Sequence, residues 1–273
     1  VVATPIGHAQ DITLRALTTL KAADVILCED TRVTAKLLML HSISKKKTLA
    51  YHEHNAEKMR PKVMDMLSKG QIVALVSDAG TPLINDPGYK LVRTCQDQGF
   101  YVSAAPGPSS VIDALVLSGL PSDRFLYLGF LPNKTTARKK ALSDITTVQA
   151  TLVILESPRR VAACLADLAD TLGEREAAVT RELTKKFEEV RRGSLSELAE
   201  AYQNETVKGE VVLVIGPPDA RKPTLEGEAL DAVIKAALAR LSVRDAVAEV
   251  VTLTNLPKRT VYNRALDLQK DHD

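Results

Sequence analysis

The chain has no tryptophan, and aromatic residues make up only 4% of its 273 positions. That shortage disfavours a protein that holds single-stranded nucleic acid mainly by stacking bases on rings. Cysteine is also scarce: Cys28, Cys95 and Cys164 are far apart, and none falls in a C-x-x-C spacing. A disulfide framework and a cysteine zinc site are therefore unsupported, and a reducing, cytoplasmic setting is expected. Neither charge is in excess, with 36 Lys+Arg against 34 Asp+Glu and a net charge of +2. No global field drives the chain onto a polyanion, so any such contact must come from local patches. No run approaches the roughly 18–20 uncharged apolar residues of a bilayer span. No basic stretch precedes an apolar one at the start, so neither a membrane anchor nor a secretory leader is expected. The chain opens abruptly on the apolar Val1-Val2-Ala3, and a few preceding residues are expected to be missing.

What is present is the composition of a folded protein. Hydrophobic residues are 45% of the chain, with 13 glycines and 13 prolines, which excludes collagen-like, coiled-coil and largely disordered readings. The length allows one large domain or two of ordinary size. Short, almost continuously apolar runs at Val1–Ile6, Asp24–Cys28, Thr48–Tyr51, Ile72–Ser77 and Tyr101–Ala105 read as strands covered on both faces. Helical patterns at 13–22, 34–40, 56–68 and 88–98 lie between them, with Asp11 or Thr13 as first cap and Gly70 and Gly99 as terminators. This rhythm predicts a parallel or mostly parallel sheet.

The turn Ser118-Gly-Leu-Pro-Ser-Asp123 marks a boundary. Beyond it, strands are expected at 125–131, 151–156, 177–180, 187–191 and 210–215, with helices at about 135–145 and 158–172. The short connection between the third and fourth of these strands predicts a mixed, locally antiparallel sheet. From about Asp219 there are three helical patterns and no strand, and Ser242–Thr252, Thr254-Asn-Leu-Pro257 and Lys258–Leu268 have a helix-turn-helix shape. The expected organisation is an α/β domain over 1–118, a second over 119–218, and a helical tail over 219–273.

In open α/β sheets ligands bind beyond the carboxyl ends of the strands. The first such loop, Thr4-Pro-Ile-Gly-His-Ala-Gln-Asp11, has neither a dinucleotide-binding glycine pattern nor a phosphate-binding P-loop. Cys28-Glu-Asp-Thr-Arg32 reads two ways: Asp30 or Thr31 as a helix cap with Glu29 paired to Arg32, or a charged cluster facing a substrate. In Tyr51-His-Glu-His-Asn55, His52 and His54 invite a metal, but no third ligand stands at a diagnostic spacing, so a polar substrate loop is preferred. The richest segment is Ser77-Asp-Ala-Gly-Thr-Pro-Leu-Ile-Asn-Asp-Pro-Gly88. A simple strand-to-helix connection needs about 2–6 residues, and the Asp78 and Asp86 of this longer one suit ribose hydroxyls or an amine better than a phosphate. Pro106-Gly-Pro-Ser-Ser110 opens a helix where backbone donors are unpaired. Leu155-Glu-Ser-Pro-Arg-Arg160 and Arg181-Glu-Leu-Thr-Lys-Lys186 place cations at strand ends, and with Lys134 and Arg138 they form local basic patches.

Taken together, Thr4-Pro-Ile-Gly7, Glu29-Asp-Thr-Arg32, His52-Glu-His-Asn55, the loop over 76–88, Pro106-Gly-Pro-Ser109, Gly119–Phe125, Gly129-Phe-Leu-Pro132, Glu156-Ser-Pro158, Arg181-Glu-Leu-Thr-Lys185 and Lys208-Gly-Glu210 resemble the tetrapyrrole methylase superfamily, and most closely its ribosomal RNA branch. The resemblance covers roughly residues 1–215. It implies a two-domain tetrapyrrole-methylase-like fold with S-adenosylmethionine in the cleft, a homodimer, no metal, and methyl transfer to the ribose 2′-oxygen of a 16S rRNA cytidine near the decoding centre of the small ribosomal subunit. It implies cofactor contacts at Pro5, Ile6, Gly7, Asp78, Ala79, Gly80, Thr81, Ile84, Ser109, Ser110, Glu156 and Leu183. Corrin-methylating members carry Gly-Asp-Pro where this chain has Gly80-Thr-Pro82, and Asp78 is expected to supply the missing carboxylate. His8 replaces a usual Asn, and Arg159 a usual His. Candidates for a base are Glu29, Asp30, His52, Asp86 and Lys185. Candidates for RNA contact are Arg32, Lys134, Arg138, Arg159, Arg160, Arg181, Lys258 and Arg259, the last two following Pro257 at a helix start. The rival readings are a tetrapyrrole methyltransferase of the same fold and a DNA-binding regulator built on the tail.

Overall fold

The computed structural model describes residues 1–218, 227–254, 256 and 258–270. They form two compact units, Val1–Pro218 and Asp219–Asp273. The first unit holds two sheets. In the first sheet β1 (Val25–Cys28) lies between β2 (Lys47–Ala50) and β3 (Val73–Leu75), both parallel to it. Alternate residues of β1 face opposite cores, Ile26 and Cys28 on one side and Val25 and Leu27 on the other. That is why the run is continuously apolar.

The expected strands at 1–6 and 101–105 appear only as bridges. Val2 donates to Leu75 O (2.8 Å), Ala3 to Ala105 O (3.2 Å), and Ala105 to Val1 O (2.9 Å). At Thr4 the chain leaves this line to pair antiparallel with Gly80, and Pro5, with no N–H, cannot extend a ladder. The surrounding helices are α1 (Leu14–Ala22), α2 (Thr31–Leu40), α3 (Ala56–Ser68) and α4 (Tyr89–Asp97). Of the two expected caps, Thr13 closes α1 by accepting from Ala16 N. Gly70 and Gly99 follow α3 and α4 with φ of 76° and 77°, the left-handed conformation that ends helices.

The helix α5 (Ser110–Ser118) precedes the second sheet in sequence and packs on one face of it, Val111, Ala114 and Leu115 meeting Val153, Ala178, Val212 and Val214. The sheet order is β4 (Phe125–Phe130), β5 (Thr151–Glu156), β8 (Val211–Ile215), β6 (Glu176–Arg181) and β7 (Glu189–Ser194). Only the β4–β5 pair is parallel, so the sheet is mixed as expected. Its other face carries α6 (Thr135–Ser143), α7 (Val161–Leu172) and α8 (Leu195–Tyr202) over a core of Leu142, Leu165, Leu168, Leu195 and Leu213. A 3₁₀ turn, Pro158–Arg160, opens the expected helix at 158. The helix α8 was not anticipated, yet its start is a capping box in which Ser194 and Glu197 satisfy each other's backbone N–H.

The second unit contains α9 (Gly227–Leu238), α10 (Val243–Thr254) and α11 (Lys258–Lys270) around Ile234, Ala246, Val247, Val250, Val261 and Ala265. Pro257 lies outside the described residues.

Candidate active site

The parallel strands of the first sheet all end on one edge, and the motif loops gather there. Thr4 N donates to Gly80 O (2.9 Å), and Gly80 N returns a bond to Thr4 O (3.0 Å). The buried Thr4 hydroxyl donates to Ser77 O (3.1 Å), while Ser77 Oγ donates to Ala79 O (3.2 Å). Gly80 has φ of 80°, and a Cβ there would lie 3.3 Å from Ile6 Cγ2. Thr81 Oγ1 donates to Pro108 O (3.0 Å), which fixes the start of α5 and its Ser109–Ser110 corner against the long loop. The Ser109 side chain makes no capping bond.

The second sheet reaches the same place through the segment after β6. A Cβ on Gly7 would sit 2.6 Å from Lys185 Cγ, 2.7 Å from Thr184 Oγ1 and 3.0 Å from Leu183 O. Only glycine allows that contact. Beside it His8 N donates to Thr184 Oγ1 (3.0 Å), so His8 is held here by its backbone. Buried Leu183 and Ile6 share one core cluster. The chain is bent hard at both meeting loops. Leu83, Asn85, Glu182 and Thr184 all carry positive φ, between 50° and 75°. Non-glycine residues hold such angles at a cost of about 1–3 kcal/mol each, and they concentrate at ligand sites.

Pro5, Ile6, Gly7, Ala79, Gly80, Thr81, Ser109, Ser110 and Leu183 are thus brought together. Ile84 stays on the loop with an exposed side chain. Glu156 ends β5 with its side chain fully buried, accepting from Ser157 N (2.7 Å) and Arg160 (3.0 Å). Its carboxylate is already engaged, which leaves only its backbone to a ligand.

Beside these loops lie Glu29, Asp78 and Asp86. Burial, the charges of Glu29 and Asp78, and a hydrogen bond from Ser77 that only partly offsets them push the Asp86 carboxyl up to about 6. Burial and the Asp78 charge also raise Glu29. Among the described residues these crowded carboxylates make no salt bridge, and the nearby Arg32 is committed to Asp30 (Arg32 Nη2 to Asp30 Oδ2, 2.5 Å). Asp30 caps α2, its amide donates to Asp78 Oδ1 (3.0 Å), and its bonds from Arg32 hold its carboxyl down near 2. A residue so acidic is a poor base at neutral pH. The structure therefore supports the capping alternative for Asp30, with the correction that Arg32 pairs with the cap itself and not with Glu29. Lys185 Nζ binds Glu182 (2.9 Å) and Glu210 (3.1 Å). Burial works against its ammonium, but those carboxylates outweigh it and raise its pKa, so Lys185 is a cationic tie rather than a base. His52 Nδ1 is buried without a partner, and its ring stands edge-on to His54 at 6.0 Å.

The sequence reading missed Tyr127 and Asn85. The Tyr127 hydroxyl is buried with no partner, and burial together with the Asp86 charge raises its pKa. A Cβ on Gly129 would lie 3.0 Å from Asn85 Oδ1 and 4.0 Å from Tyr127 OH. The length of the loop was the available signal for Asn85, whereas the positive φ of Gly129 (62°), which brings Tyr127 into the group, shows only in the structure.

The expected RNA-facing cations divide. Arg32 (side chain 89% exposed), Lys134, Arg159, Lys258 and Arg259 are accessible. Three are corrected. Arg138 is only 2% exposed and bound to Asp167 (2.5 Å). Arg160 is tied to Glu156, Asn133 and Leu131 O, and Arg181 to Glu189 (2.9 Å). Each of these guanidiniums satisfies a carboxylate of the fold and is not free for phosphate.

Residues 1–199, which carry the first sheet, most of the second and the loops between them, match the family described as Tetrapyrrole (Corrin/Porphyrin) Methylases. The chain belongs to that family. Within it, the chain groups with proteins named ribosomal RNA small subunit methyltransferase I. It is 48% identical over 270 residues to that of Mesorhizobium japonicum, covering 98% of this chain and 91% of the relative. It is 45% identical over 271 residues to that of Vibrio cholerae, covering 98% and 93%. Residues 224–269 match the family described as RsmI C-terminal HTH domain. Among solved structures, the uroporphyrin-III-C-methyltransferase of Thermus thermophilus superposes with a TM-score of 0.56 at 20% identity, over 79% of this chain and 92% of that one. Diphthine synthase superposes with a TM-score of 0.60 at 15% identity, over 79% and 90%. At these identities the likeness is one of fold.

Proposed function

We propose that this protein is an S-adenosylmethionine-dependent methyltransferase that 2′-O-methylates a cytidine of 16S rRNA in the small ribosomal subunit, acting in the cytoplasm as a homodimer. The proposal divides the chain into α/β halves at 1–118 and 119–218 and a helical tail at 219–273. The observation that carries it is the junction of Gly7, Gly80 and Leu183–Lys185 beside three carboxylates that make no salt bridge among the described residues. The residues present fit the cofactor. Glycines let the loops close tightly on one another at the junction, and a sulfonium relieves the repulsion that raises Asp86.

When bound, S-adenosylmethionine supplies an electrophilic methyl group on a positively charged sulfur. Gly7, Thr81 and the Ser109–Ser110 corner would hold it through backbone groups and hydroxyls, Gly80 would shape the loop through its paired backbone, and Asp78 would face the charge. Alignment of the ribose oxygen by these loops accounts for much of the rate, up to roughly 7–11 kcal/mol of barrier for well-oriented groups. Asp86 Oδ receives the proton of the 2′-hydroxyl. Its pKa near 6 leaves it ionised at neutral pH while keeping it a better base than an ordinary aspartate.

Asp78→Ala is expected to weaken S-adenosylmethionine binding about tenfold, and S-adenosylhomocysteine binding less, because only the former is cationic. Calorimetry with both compounds checks this, and equal losses for the two would reject the placement of the charge. Removing Asp219–Asp273 is expected to lower affinity for small subunits while S-adenosylhomocysteine affinity is retained. Undiminished subunit binding in a filter assay would remove the tail from RNA docking.

A corrin or porphyrin substrate, as named for the solved neighbours, needs a wide apolar wall. The open edge here is polar, and a helix-turn-helix unit follows it. Incubation with labelled S-adenosylmethionine and either undermethylated small subunits or a porphyrinoid tests the choice. Label in the porphyrinoid alone would overturn the proposal.

A further inference from the structure

A polar cavity of about 600 Å³ opens beside the acidic cluster, within the size range of nucleotide-sized ligand sites. Four pieces of chain build it: the segment after β2, the first turns of α3, the end of the long loop, and the first turn of α4. None of Arg60, Tyr89 and Lys90 belongs to a motif considered above, yet all three line it. Arg60 Nε is buried without a hydrogen-bond partner. Lys90 is exposed, and Tyr89 stands at the wall with 69% of its surface exposed. Neither helix has a side-chain cap at its start. Asn55 spends its amide on Ala50 O and His52 N, and Gly88 has no side chain to offer. First-turn N–H groups without such caps favour anions.

Asp86 is the link to the chemistry. It lines this cavity and also belongs to the carboxylate cluster with Glu29 and Asp78. An occupant of the cavity therefore lies against the group that takes the proton. Glu53 and Glu57 on the same wall are acceptors for the exocyclic amine of cytosine.

We propose that this cavity seats the target nucleotide of the RNA, with a phosphate on Arg60, Lys90 and the uncapped start of α4, the base against Tyr89, and the ribose at Asp86. The proposal rests on the rRNA methyltransferase reading. It adds the place where the target enters and the cations that hold it.

The test is steady-state methylation of undermethylated small subunits over a range of salt, with Arg60→Ala and Lys90→Ala in the full chain. Each variant is expected to raise KM about tenfold, the worth of one charge-assisted contact. Each should also reduce the slope of log(kcat/KM) against log salt by roughly 0.7–0.9, one phosphate contact. S-adenosylhomocysteine affinity by calorimetry should not move. Lys90 is on the surface, so its variant keeps the test valid if Arg60→Ala folds poorly. Wild-type KM and salt slope in Lys90→Ala and in folded Arg60→Ala, while S-adenosylhomocysteine binds and the wild type methylates subunits, would overturn the pocket. A wild type that neither binds S-adenosylhomocysteine nor methylates subunits would instead remove the reading beneath it, and the pocket with it.

Discussion

Asp86→Asn is expected to lower kcat about 10²–10⁴-fold and, at pH 8, to make the protein more stable. The loss is the usual contribution of a positioned base. The gain follows from linkage. The folded-state pKa of Asp86 lies near 6, above its ordinary 3.8. The stability this group contributes is therefore fully present below pH 3.8 and is lost as pH rises through 6. Asparagine removes that loss. A shift of about two units corresponds to roughly 3 kcal/mol at 1.36 per unit, and screening of a half-exposed group reduces it to about 1–2 kcal/mol. The melting temperature at pH 8 should rise by about 2–6 °C, and the gain should vanish at pH 4. Wild-type kcat/KM, which reports the free enzyme, should fall as pH drops through 6. An Asp86→Asn enzyme with wild-type kcat and an unchanged pH profile would transfer the proton-accepting role to Glu29 or His52.

Arg138→Ala is expected to destabilise the protein by about 3–5 kcal/mol, because it leaves the buried carboxylate of Asp167 without its close partner and with only the longer pairing to Lys139 (3.7 Å). The guanidinium also donates to Pro132 O (3.2 Å) and Asn133 O (3.3 Å), so three elements lose an anchor at once. For a unit of this size the melting temperature should fall by about 6–15 °C. The double variant Arg138→Met/Asp167→Leu should recover most of the loss, since apolar replacement of a buried pair is often neutral. The salt dependence of subunit binding should be that of the wild type. A variant that melts normally but binds subunits with a shallower salt slope would return Arg138 to the RNA interface.

The Arg138 case shows where the sequence is silent. A basic helix over 135–143 is legible from its pattern, but its cations look alike until Asp167, 29 residues away, selects one. Arg181 was misread for the same reason, since its pairing with Glu189 is decided by sheet register, whereas the partner of Arg160, Glu156, stands only four residues before it. By contrast, the loop over 77–88 announced itself by its length and its glycines, prolines and acids. The segment after Arg181 was legible from its motif, and the two loops do meet. The helix α8 was legible and missed: Ser194 with Glu197, then Leu195, Leu198 and Tyr202 on one face, is a complete helical signal. Tyr127, Arg60 and Tyr89 carried no local mark. Their interest arises only from what non-local packing places beside them.

The backbone of Val1–Thr4 is held between Leu75, Gly80 and Ala105. All of its partners are translated later. The opening segment must therefore wait, unpaired, until Leu75 and Gly80 have left the ribosome, and the first half of the molecule can close on Ala105 only later still. Such long-range closure is slow and leaves apolar strand exposed meanwhile. An enzyme that modifies ribosomes would then depend, during its own synthesis, on how quickly one of them delivers Ala105.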